Sequence, residues 1–586
     1  MKRMTVILLA LAMLLSLMAG CGGTGASAVQ DAAPGNQEAA EAPASEAEEA
    51  AQPEAEPETA AAPEAEASAG AEASAAEPEE EPPETAAAPD RIDPPANPYT
   101  LPLSEDNATF TFFWTYPPFL AEMIEDLTDG YARQELEART GVHIEFDAVS
   151  AAVAGDQFQL MVAADSYADI IQDVTNYYTA GMDRAVTDEI VLDLKDMMQE
   201  YMPVYYEMIT ANDLIRKQLT SSDGYMGAIY RLYAEPSVPK SGNIIRQDWL
   251  DDLGLDTPYT VGDYYDILTA FKNEKGATEP FYLMNTGSAF TNGLIGAYGI
   301  INDFYQADGQ VKYGPLEPGF KDYLTEMNKW YSEGLISPDY LNNVYGYPDN
   351  GAVTAGRIGI FAQENNYMQD VYSFTDDTSI VLSAIPNAVL EPGQTNNFIA
   401  FGDWIGGVSW SISTDCSDPE LLLNFIDYLF TDEGSLLANY GVEGLSWDYD
   451  ENGKPLINEA ITDNPDYNSA TAQLKYTLLW APFVEDYDRF NVGYTQAAID
   501  AADIWREQSS SACIMPTGVS VSAEYISDYN AAYGDVYAFT SENVNRFITG
   551  DRPLEEFDAF TGELRDMGVD TCLEIWQKML DAFNAK

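Results

Sequence analysis

The runs TFTFFW (109–114), HIEFDAV (143–149) and ADIIQDV (168–174) are short and rich in β-branched and aromatic residues. Such runs predict β-strands. Helical patterns separate them, and three similar runs follow: NIIR (243–246), RIGIFA (357–362) and IVLSAI (380–385). Strands that alternate with helices predict an α/β protein in which ligands bind at the carboxyl ends of parallel strands.

The helical signals are clearest in the second half of the chain. Asp418 and Pro419 suit the N-cap and the first turn of a helix. Apolar residues follow them at helical spacing, including Leu422 and Phe425. Two further helices are predicted near the C-terminus: one from about residue 553 to Gly568, and a last one that carries Trp576 on its apolar face.

The first residues have the layout of a secretory signal. Lys2 and Arg3 precede an apolar run over residues 6–18 that is too short to span a bilayer comfortably. The run closes on LMAGC (17–21), which resembles a bacterial lipobox, although Met18 stands where that motif prefers Leu. We therefore predict a signal peptide over residues 1–20 and a lipid on Cys21. An ordinary cleaved signal with an incidental cysteine is the alternative.

Residues 21–97 are mostly Ala, Glu and Pro. Between residues 22 and 90 there are 18 Asp and Glu and no Lys or Arg. A segment with so little apolar surface cannot offset the entropy lost on ordering. We predict a disordered, self-repelling tether over residues 21–97.

Residues 91–586 are strongly acidic, with 25 Lys and Arg against 79 Asp and Glu. Such a surface repels nucleic acid and anionic lipid, and it repels anionic ligands unless their site is locally basic. We therefore expect no nucleic-acid partner. The single histidine, His143, excludes a histidine-based triad, and we expect no metal site and no cofactor. Beyond Cys21 the chain has only Cys416, Cys513 and Cys572, so at most one disulfide can form.

Five segments resemble the large sugar-binding lipoproteins of the maltose-binding-protein superfamily. They are YADII (167–171), IRQDWLDDLGL (245–255), WYSEGLISP (330–338), YGVEG (440–444) and FITG (547–550), in the order of that family. The resemblance implies a two-lobed, periplasmic-binding-protein-like α/β fold around a central cleft, with strands that cross between the lobes near residues 228–241 and 359–362. It implies that lobe 1 spans 98–235 and 361–412, and that lobe 2 spans 236–360 and 413–586 with the C-terminal helices.

The same resemblance implies a function: the substrate-binding component of an ABC importer that captures a carbohydrate by hinge closure and performs no catalysis. Its partners would be an oligosaccharide and the permease subunits. The protein would be a monomer held on the extracytoplasmic face of the cell membrane by its lipid anchor alone. Two alternatives remain open: an oligopeptide-binding lipoprotein, and a secreted glycoside hydrolase with two catalytic carboxylates.

Sugar sites combine aromatic planes with a few polar groups that pair with hydroxyls. Candidates of these types follow the predicted strands or lie in glycine-rich turns, and Arg246 belongs to a segment that carries the resemblance. For each, a purely structural role is the alternative. The candidate ligand-binding residues are Trp114, Tyr116, Asn176, Tyr177, Tyr178, Arg246, Asn366, Tyr367, Trp404, Trp447 and Tyr525.

One segment matches a calcium-binding pattern: DYDENGKPLINE (448–459) fits the EF-hand loop from Asp448 to Glu459. An EF-hand also requires flanking helices, and Pro455 lacks a backbone donor. The segment instead favours a β-hairpin that turns on Asn452-Gly453. The stretch FKNEKGATEP (271–280), where many members of the family carry a calcium loop, lacks their series of acidic residues.

Overall fold

The computed structural model describes residues 91–586 except 124, 126–127, 179, 345, 488 and 490–493. The predicted signal peptide, Cys21 and the tether as far as residue 90 lie outside the described residues. The strands, in chain order, are β1 (Ala108–Tyr116), β2 (Val142–Ser150), β3 (Ile170–Gln172), β4 (Ile229–Tyr233), β5 (Ser241–Arg246), β6 (Glu279–Phe281), β7 (Phe304–Ala307), β8 (Gln310–Tyr313), β9 (Ile358–Glu364), β10 (Leu382–Ala384), β11 (Ile405–Ile412), β12 (Trp447–Tyr449), β13 (Pro455–Ile457) and β14 (Val484–Glu485).

Helices surround these strands, and within the described residues no helix is both long and apolar enough to cross a membrane. Short 3-10 turns also occur, at Pro118–Met123, Val174–Asn176, Ile295–Tyr298, Gly314–Leu316, Tyr340–Asn342 and Leu554–Glu556. The α-helices are Tyr131–Thr140, Ala154–Ala164, Gly181–Thr187, Lys195–Tyr201, Pro203–Ala211, Asp213–Leu219, Gln247–Leu253, Val261–Glu274, Pro318–Ser332, Asn350–Thr354, Tyr367–Ser373, Pro419–Tyr428, Asp432–Tyr440, Glu459–Thr462, Ser469–Tyr476, Gln496–Arg506, Ile526–Thr549, Phe557–Asp566 and Val569–Ala585.

A six-stranded sheet in the order β14-β4-β11-β3-β1-β2 forms the centre of the first lobe. β1 pairs in parallel with β2 and β3, and β11 is antiparallel to β3 and β4. Successive residues of β1 enter different hydrophobic clusters: Phe112 packs with Trp410, and Phe113 packs with Phe158. The strand is therefore apolar on both faces, as a strand covered on both sides must be.

A four-stranded sheet in the order β10-β5-β9-β6 forms the centre of the second lobe. The same alternation holds here, because Ile244 and Ile245 of β5 belong to different clusters on opposite faces of the sheet. The last helix, Val569–Ala585, buries Trp576 in the larger of these clusters, as its apolar stripe predicts. The helix Pro419–Tyr428 begins as predicted, since Asp418 accepts a hydrogen bond from the Leu421 amide at 3.1 Å.

Three segments connect the two sheets: residues 234–240, 385–404 and 486–495. In the first sheet they join the carboxyl ends of β4 and β14 and the start of β11, which lie at one edge with the carboxyl ends of β1 and β3. In the second sheet they leave the edge where β5 starts and β9 and β10 end. We call the three segments, with the strand ends and loops at these two edges, the junction.

Strand pairing divides the chain differently from the expected boundaries. β9 spans the expected crossing at 359–362 but lies inside the second sheet, and β10 pairs with β5 there, so the chain returns to the first sheet only after residue 384. Residues 413–485, expected in lobe 2, belong to the first lobe: Leu422 and Phe425 enter its core, and β14 pairs with β4. The second lobe resumes at the helix Gln496–Arg506.

The end of the predicted tether is also corrected. Residues 91–97 pack on the first lobe, because Ile92 is buried and its amide donates to the Ala234 carbonyl at 2.7 Å. The Pro95 carbonyl accepts a hydrogen bond from the Asp432 amide at 2.8 Å. An isoleucine within the polar, proline-rich segment is enough to anchor its last residues by apolar burial.

Candidate ligand-binding site

Polar side chains of the first lobe form a hydrogen-bonded network where β1 and β3 end at the junction. The Thr115 amide donates to Oε1 of Gln172 at 3.3 Å, and the Tyr177 hydroxyl donates to Oγ1 of Thr115 at 3.0 Å. The Gln172 amide group donates to Oδ2 of Asp173 at 3.2 Å, and the Ser409 amide donates to Oδ1 of Asp173 at 2.8 Å. The network holds hydroxyl and amide groups in fixed positions; Thr115, Gln172 and Ser409 are buried in it, and Asp173 and Tyr177 are half-buried.

Asp173 lies at the centre of this network in a backbone conformation that few residues adopt, with a φ of 47°. Burial raises the pKa of its carboxyl group, while the hydrogen bonds from Ser409 and Gln172 and the charge of Arg231 oppose that rise. Asp is among the residues that tolerate positive φ. The strand end therefore turns sharply at a carboxylate that protein donors already hold.

Two tyrosines and a lysine form a second group of side chains, at the crossing from β4 to β5. The rings of Tyr233 and Tyr487 stack with centroids 4.8 Å apart and an interplanar angle of 24°. The Lys240 ammonium lies 5.2 Å from each ring centroid. Flat aromatic faces beside polar groups are what the C–H face of a sugar ring packs against.

The second lobe contributes the residues around the end of β9. Burial raises the pKa of Glu364, and burial together with the charges of Glu364 and Asp370 raises the pKa of Tyr494 to about 12. Oδ1 of Asn366 is buried and accepts no hydrogen bond from the described residues. A buried acceptor without a partner is unusual and is consistent with a partner that arrives from outside the chain.

An ion triad lies beneath the junction. Arg231 of β4 and Arg489 both donate to Oε1 of Glu485, at 2.9 and 2.8 Å, and all three side chains are buried. Burial raises the pKa of Glu485, but the two guanidinium charges outweigh that effect and hold it below its usual value. The triad fixes the start of segment 486–495 against the first sheet.

Asp403 ties the second crossing segment to both lobes. Its Oδ1 accepts a hydrogen bond from Gln218 at 2.8 Å, and its Oδ2 accepts one from Thr517 at 2.9 Å. Gln218 ends a helix of the first lobe, and Thr517 precedes the long helix Ile526–Thr549 of the second. One carboxylate thus connects the two lobes directly.

Five of the candidate residues lie at the junction with part of their surface accessible: Tyr116, Asn176, Tyr177, Tyr178 and Asn366. Tyr116 ends β1, and Asn176 to Tyr178 follow β3. Tyr178 is tied by its hydroxyl to Asp188. Their positions directly after strand ends were the sequence signal for this group. Four of them lie at the edge of the first sheet, and Asn366 lies at the edge of the second.

Four aromatic candidates are buried and serve as core in this structure. Trp114 and Trp404 belong to the first-lobe cluster, and Tyr367 packs under β9 with 0% exposure. Trp447 is 2% exposed, and its indole N–H donates to the Gly441 carbonyl at 3.0 Å. Burial on every side leaves no open ring face for stacking.

Arg246 and Tyr525 do not belong to the strand ends at the junction. Arg246 ends β5 at the opposite edge of the second sheet, where it pairs with Asp248 at 2.7 Å and lies over the Trp249 ring at 4.5 Å. Tyr525 precedes the helix Ile526–Thr549, with Lys578 at 4.7 Å from its ring.

The segment that matches the EF-hand pattern forms the expected hairpin. β12 and β13 pair antiparallel, and Oδ1 of Asp450 accepts hydrogen bonds from the Asn452 and Lys454 amides, both at 2.8 Å. Among the described residues there is no group of three or more His, Cys, Asp or Glu side chains that could hold a metal ion. Cys416, Cys513 and Cys572 are free.

Several residues of the junction were not among the candidates selected from the sequence. Asp173 lies near the end of a predicted strand, and Thr115 lies between the candidates Trp114 and Tyr116. The rule that selected residues after strand ends could therefore have selected both. The same rule could not have selected Ser409, Lys240 or Tyr487, because only long-range strand pairing brings them to the edge of the sheet. Tyr233 is a further member of this group.

Comparison with known proteins gives consistent matches. The family model described as bacterial extracellular solute-binding protein matches residues 122–435. Lipoprotein LipO of Bacillus subtilis (strain 168) is 24% identical over 469 residues, which cover 76% of this chain and 85% of that protein. The polygalacturonan/rhamnogalacturonan-binding protein YtcQ of the same organism is 24% identical over 331 residues, 55% of this chain and 64% of YtcQ.

Among solved structures, an HMO-binding, ABC-transporter-associated solute-binding protein from Bifidobacterium longum infantis superposes with a TM-score of 0.66. The superposition covers 81% of this chain and 99% of that one, at 19% sequence identity. At that identity the likeness establishes a shared fold, which is the two-lobed α/β fold of solute-binding proteins.

Proposed function

Because the chain belongs to the bacterial extracellular solute-binding protein family, we propose that it captures an oligosaccharide at the junction and presents it to an ABC importer. The observation that carries this proposal is the junction itself. Fixed hydroxyl and amide groups around Asp173 lie at the same edge as the stacked pair Tyr233 and Tyr487. Two similar proteins whose names give a carbohydrate ligand support the substrate class: YtcQ and the HMO-binding protein from Bifidobacterium longum infantis.

Binding proceeds by closure of the two lobes over the ligand. Three chain segments connect the lobes, and segments that connect lobes can act as hinges. Closure brings Asn366 and Glu364 of the second lobe toward the network around Asp173. Each polar group then pairs with a sugar hydroxyl, and tyrosine rings cover the apolar sugar faces.

The protein returns its ligand unaltered. We expect saccharides bound by the full chain to raise its melting temperature in proportion to occupancy and to be recovered at their original chain length. Calorimetry and chromatography of the recovered saccharide measure the two effects. Shortened products formed in amounts far above stoichiometric would instead support the glycoside hydrolase.

The anchor is a separate part of the proposal. Residues 1–20 act as a signal peptide, and Cys21 carries a lipid that holds the protein, as a monomer beside its permease, on the extracytoplasmic face of the membrane. Cells fed a labelled fatty acid should incorporate the label into the wild type and not into Cys21→Ala. Full membrane retention of Cys21→Ala without label would contradict lipid anchoring.

A further inference from the structure

The structure describes every basic side chain at the junction. The gaps in the described range contain no Lys or Arg, so every basic side chain between residues 91 and 586 has a place in the structure. A saccharide that carries carboxylates, such as a uronate, needs basic partners in its site. Arginine pairs with a carboxylate through two parallel hydrogen bonds, and lysine acts as a point charge.

The sequence of the junction is poor in bases. The connecting segments 234–240, 385–404 and 486–495 and the loops 117–123, 151–153, 173–180, 282–294 and 365–366, which follow strand ends, contain two basic residues, Lys240 and Arg489. Their described acidic residues are more numerous: Glu122, Asp173, Glu235, Glu391, Asp403 and Asp486.

Both arginines at the junction already form ion pairs with a carboxylate of the chain. Arg489 and Arg231, which reaches the junction from β4, share Glu485 and are buried with it. Arg231 also donates to the Ala481 carbonyl at 3.2 Å. Redirecting either arginine to a ligand would leave a buried charge uncompensated, which is among the most destabilising changes in proteins.

The exposed bases at the junction are balanced as well. Arg91, which packs beside the first crossing, pairs with Glu235 and with Asp93 at 2.9 Å, and it lies 3.9 Å from Asp486. The charge of Lys240 opposes the rise that burial causes in the pKa of Glu364, and it adds to the two guanidinium charges that lower the pKa of Glu485. Arg184, whose charge acts on the Tyr178 hydroxyl, pairs with Asp188 at 2.6 Å, so each of these exposed bases faces at least one carboxylate.

The electrostatic surroundings oppose a further negative charge. Burial raises the pKa of Asp173 in the first lobe and of Glu364 in the second, which means that the charged form of a carboxylate is disfavoured at both positions. A ligand carboxylate placed among them would meet the same desolvation cost and like charges in addition.

From these charges we infer that the junction selects neutral oligosaccharides and discriminates against saccharides that contain uronic acids. The inference rests on the proposed function and specifies its substrate class. Neutral hydroxyls can donate to Asp173 and to the Tyr177 oxygen without any charge compensation. A chain of uronates, with a charge on each ring, would need several bases that this junction lacks.

The test uses the full chain and a mixed pool of neutral and uronate-containing oligosaccharides, made by partial hydrolysis of galactan, mannan, polygalacturonan and alginate. Bound saccharides are separated with the protein, released and identified by mass spectrometry. We expect neutral species alone to be retained. Retention of uronates would overturn the inference and leave the proposed function intact, whereas retention of no saccharide would contradict the proposed function itself.

Two measurements separate charge from shape. The affinity of the retained saccharide should change less than twofold between about 20 and about 500 mM NaCl, because salt screens charges and not neutral hydroxyls. Trigalacturonate should bind no tighter than its methyl ester, which has the same rings and no charge. A tenfold loss of affinity in high salt, or a tenfold preference for the acid over the ester, would refute the inference.

Discussion

At the scale of single residues, substitution of Trp447 distinguishes a role in packing from a role in ligand binding. Its ring is 2% exposed, lies 4.9 Å from the Tyr449 ring, and donates its N–H to the Gly441 carbonyl. Trp447→Ala should lower the free energy of unfolding by about 3–5 kcal/mol, as truncation of a core tryptophan does. Affinity for the retained saccharide should stay within about twofold, measured by calorimetry below the unfolding range. A large loss of affinity in a stable variant would instead indicate that Trp447 contacts the ligand.

Asn366 and its neighbour Asn365 form a matched pair. Oδ1 of Asn366 has no partner among the described residues, whereas Nδ2 of Asn365 donates to the Ala498 carbonyl at 2.9 Å. Asn366→Ala should weaken saccharide binding by about 1–3 kcal/mol and leave stability nearly unchanged, because no internal hydrogen bond is lost. Asn365→Ala should lower stability by about 1 kcal/mol and affect binding less. Equal effects of the two changes on binding would argue against ligand contact by Asn366.

Asp370 gives a prediction about pH. Burial raises its pKa to about 6 in the folded protein, above the value of about 3.9 expected in the unfolded chain. The folded state therefore binds more protons between these values, and stability falls as pH rises from about 4 to about 6. Asp370→Asn should match the wild type near pH 4 and be more stable above about pH 7. Urea unfolding at both pH values measures this, and a difference independent of pH would contradict it.

At the scale of elements, the ion triad holds β14 and segment 486–495 against β4. Glu485→Gln keeps the shape of the side chain and removes the charge between Arg231 and Arg489. We expect a loss of about 3–5 kcal/mol in the free energy of unfolding, because two buried guanidinium groups lose their counter-ion. Glu433→Gln, at an exposed glutamate in the first turn of the helix Asp432–Tyr440, is the control and should change stability by less than about 1 kcal/mol.

The boundary of the folded region is a second property of an element. A chain that begins at residue 91 keeps Ile92 in the first-lobe core and the hydrogen bond from Asp432 to Pro95. A chain that begins at residue 98 loses both, and its free energy of unfolding should fall by about 2–4 kcal/mol. Thermal unfolding of the two truncated chains measures the difference. Equal melting temperatures would show that residues 91–97 contribute nothing.

At the scale of the whole molecule, ligand binding should make the protein more compact. Three connecting segments allow one lobe to rotate against the other without breaking either sheet. The radius of gyration from small-angle X-ray scattering should decrease when the retained saccharide is added, and should not change with a saccharide that does not bind. An unchanged radius at full occupancy would mean that the ligand binds without closure.

The six strands predicted from sequence all form, within a few residues of the expected ends. The helix Pro419–Tyr428 and the last helix form as well. These predictions rest on local patterns: period-two or period-3.6 apolarity, an N-cap and a terminating glycine. Local signals of this kind are present in the residues themselves and need no information about distant parts of the chain.

The division into lobes could not be predicted from local sequence patterns. That β10 pairs with β5 and β14 with β4 depends on contacts between residues more than 100 positions apart. The same long-range pairing decides which aromatic residues face a ligand. Trp404 and Tyr233 are hydrogen-bonded neighbours at the junction, yet the indole is in the core and the phenol ring is partly accessible.

The sequence by itself determined the alternation of strands and helices, the acidic character of the chain and the segments that resemble sugar-binding lipoproteins. Only the tertiary structure decided where the lobes begin and end, which candidate residues are buried, and which bases at the junction are already neutralised. The physical reason is the range of the interactions. Periodicity and composition act through neighbouring residues, whereas burial and charge pairing depend on which distant strands lie side by side.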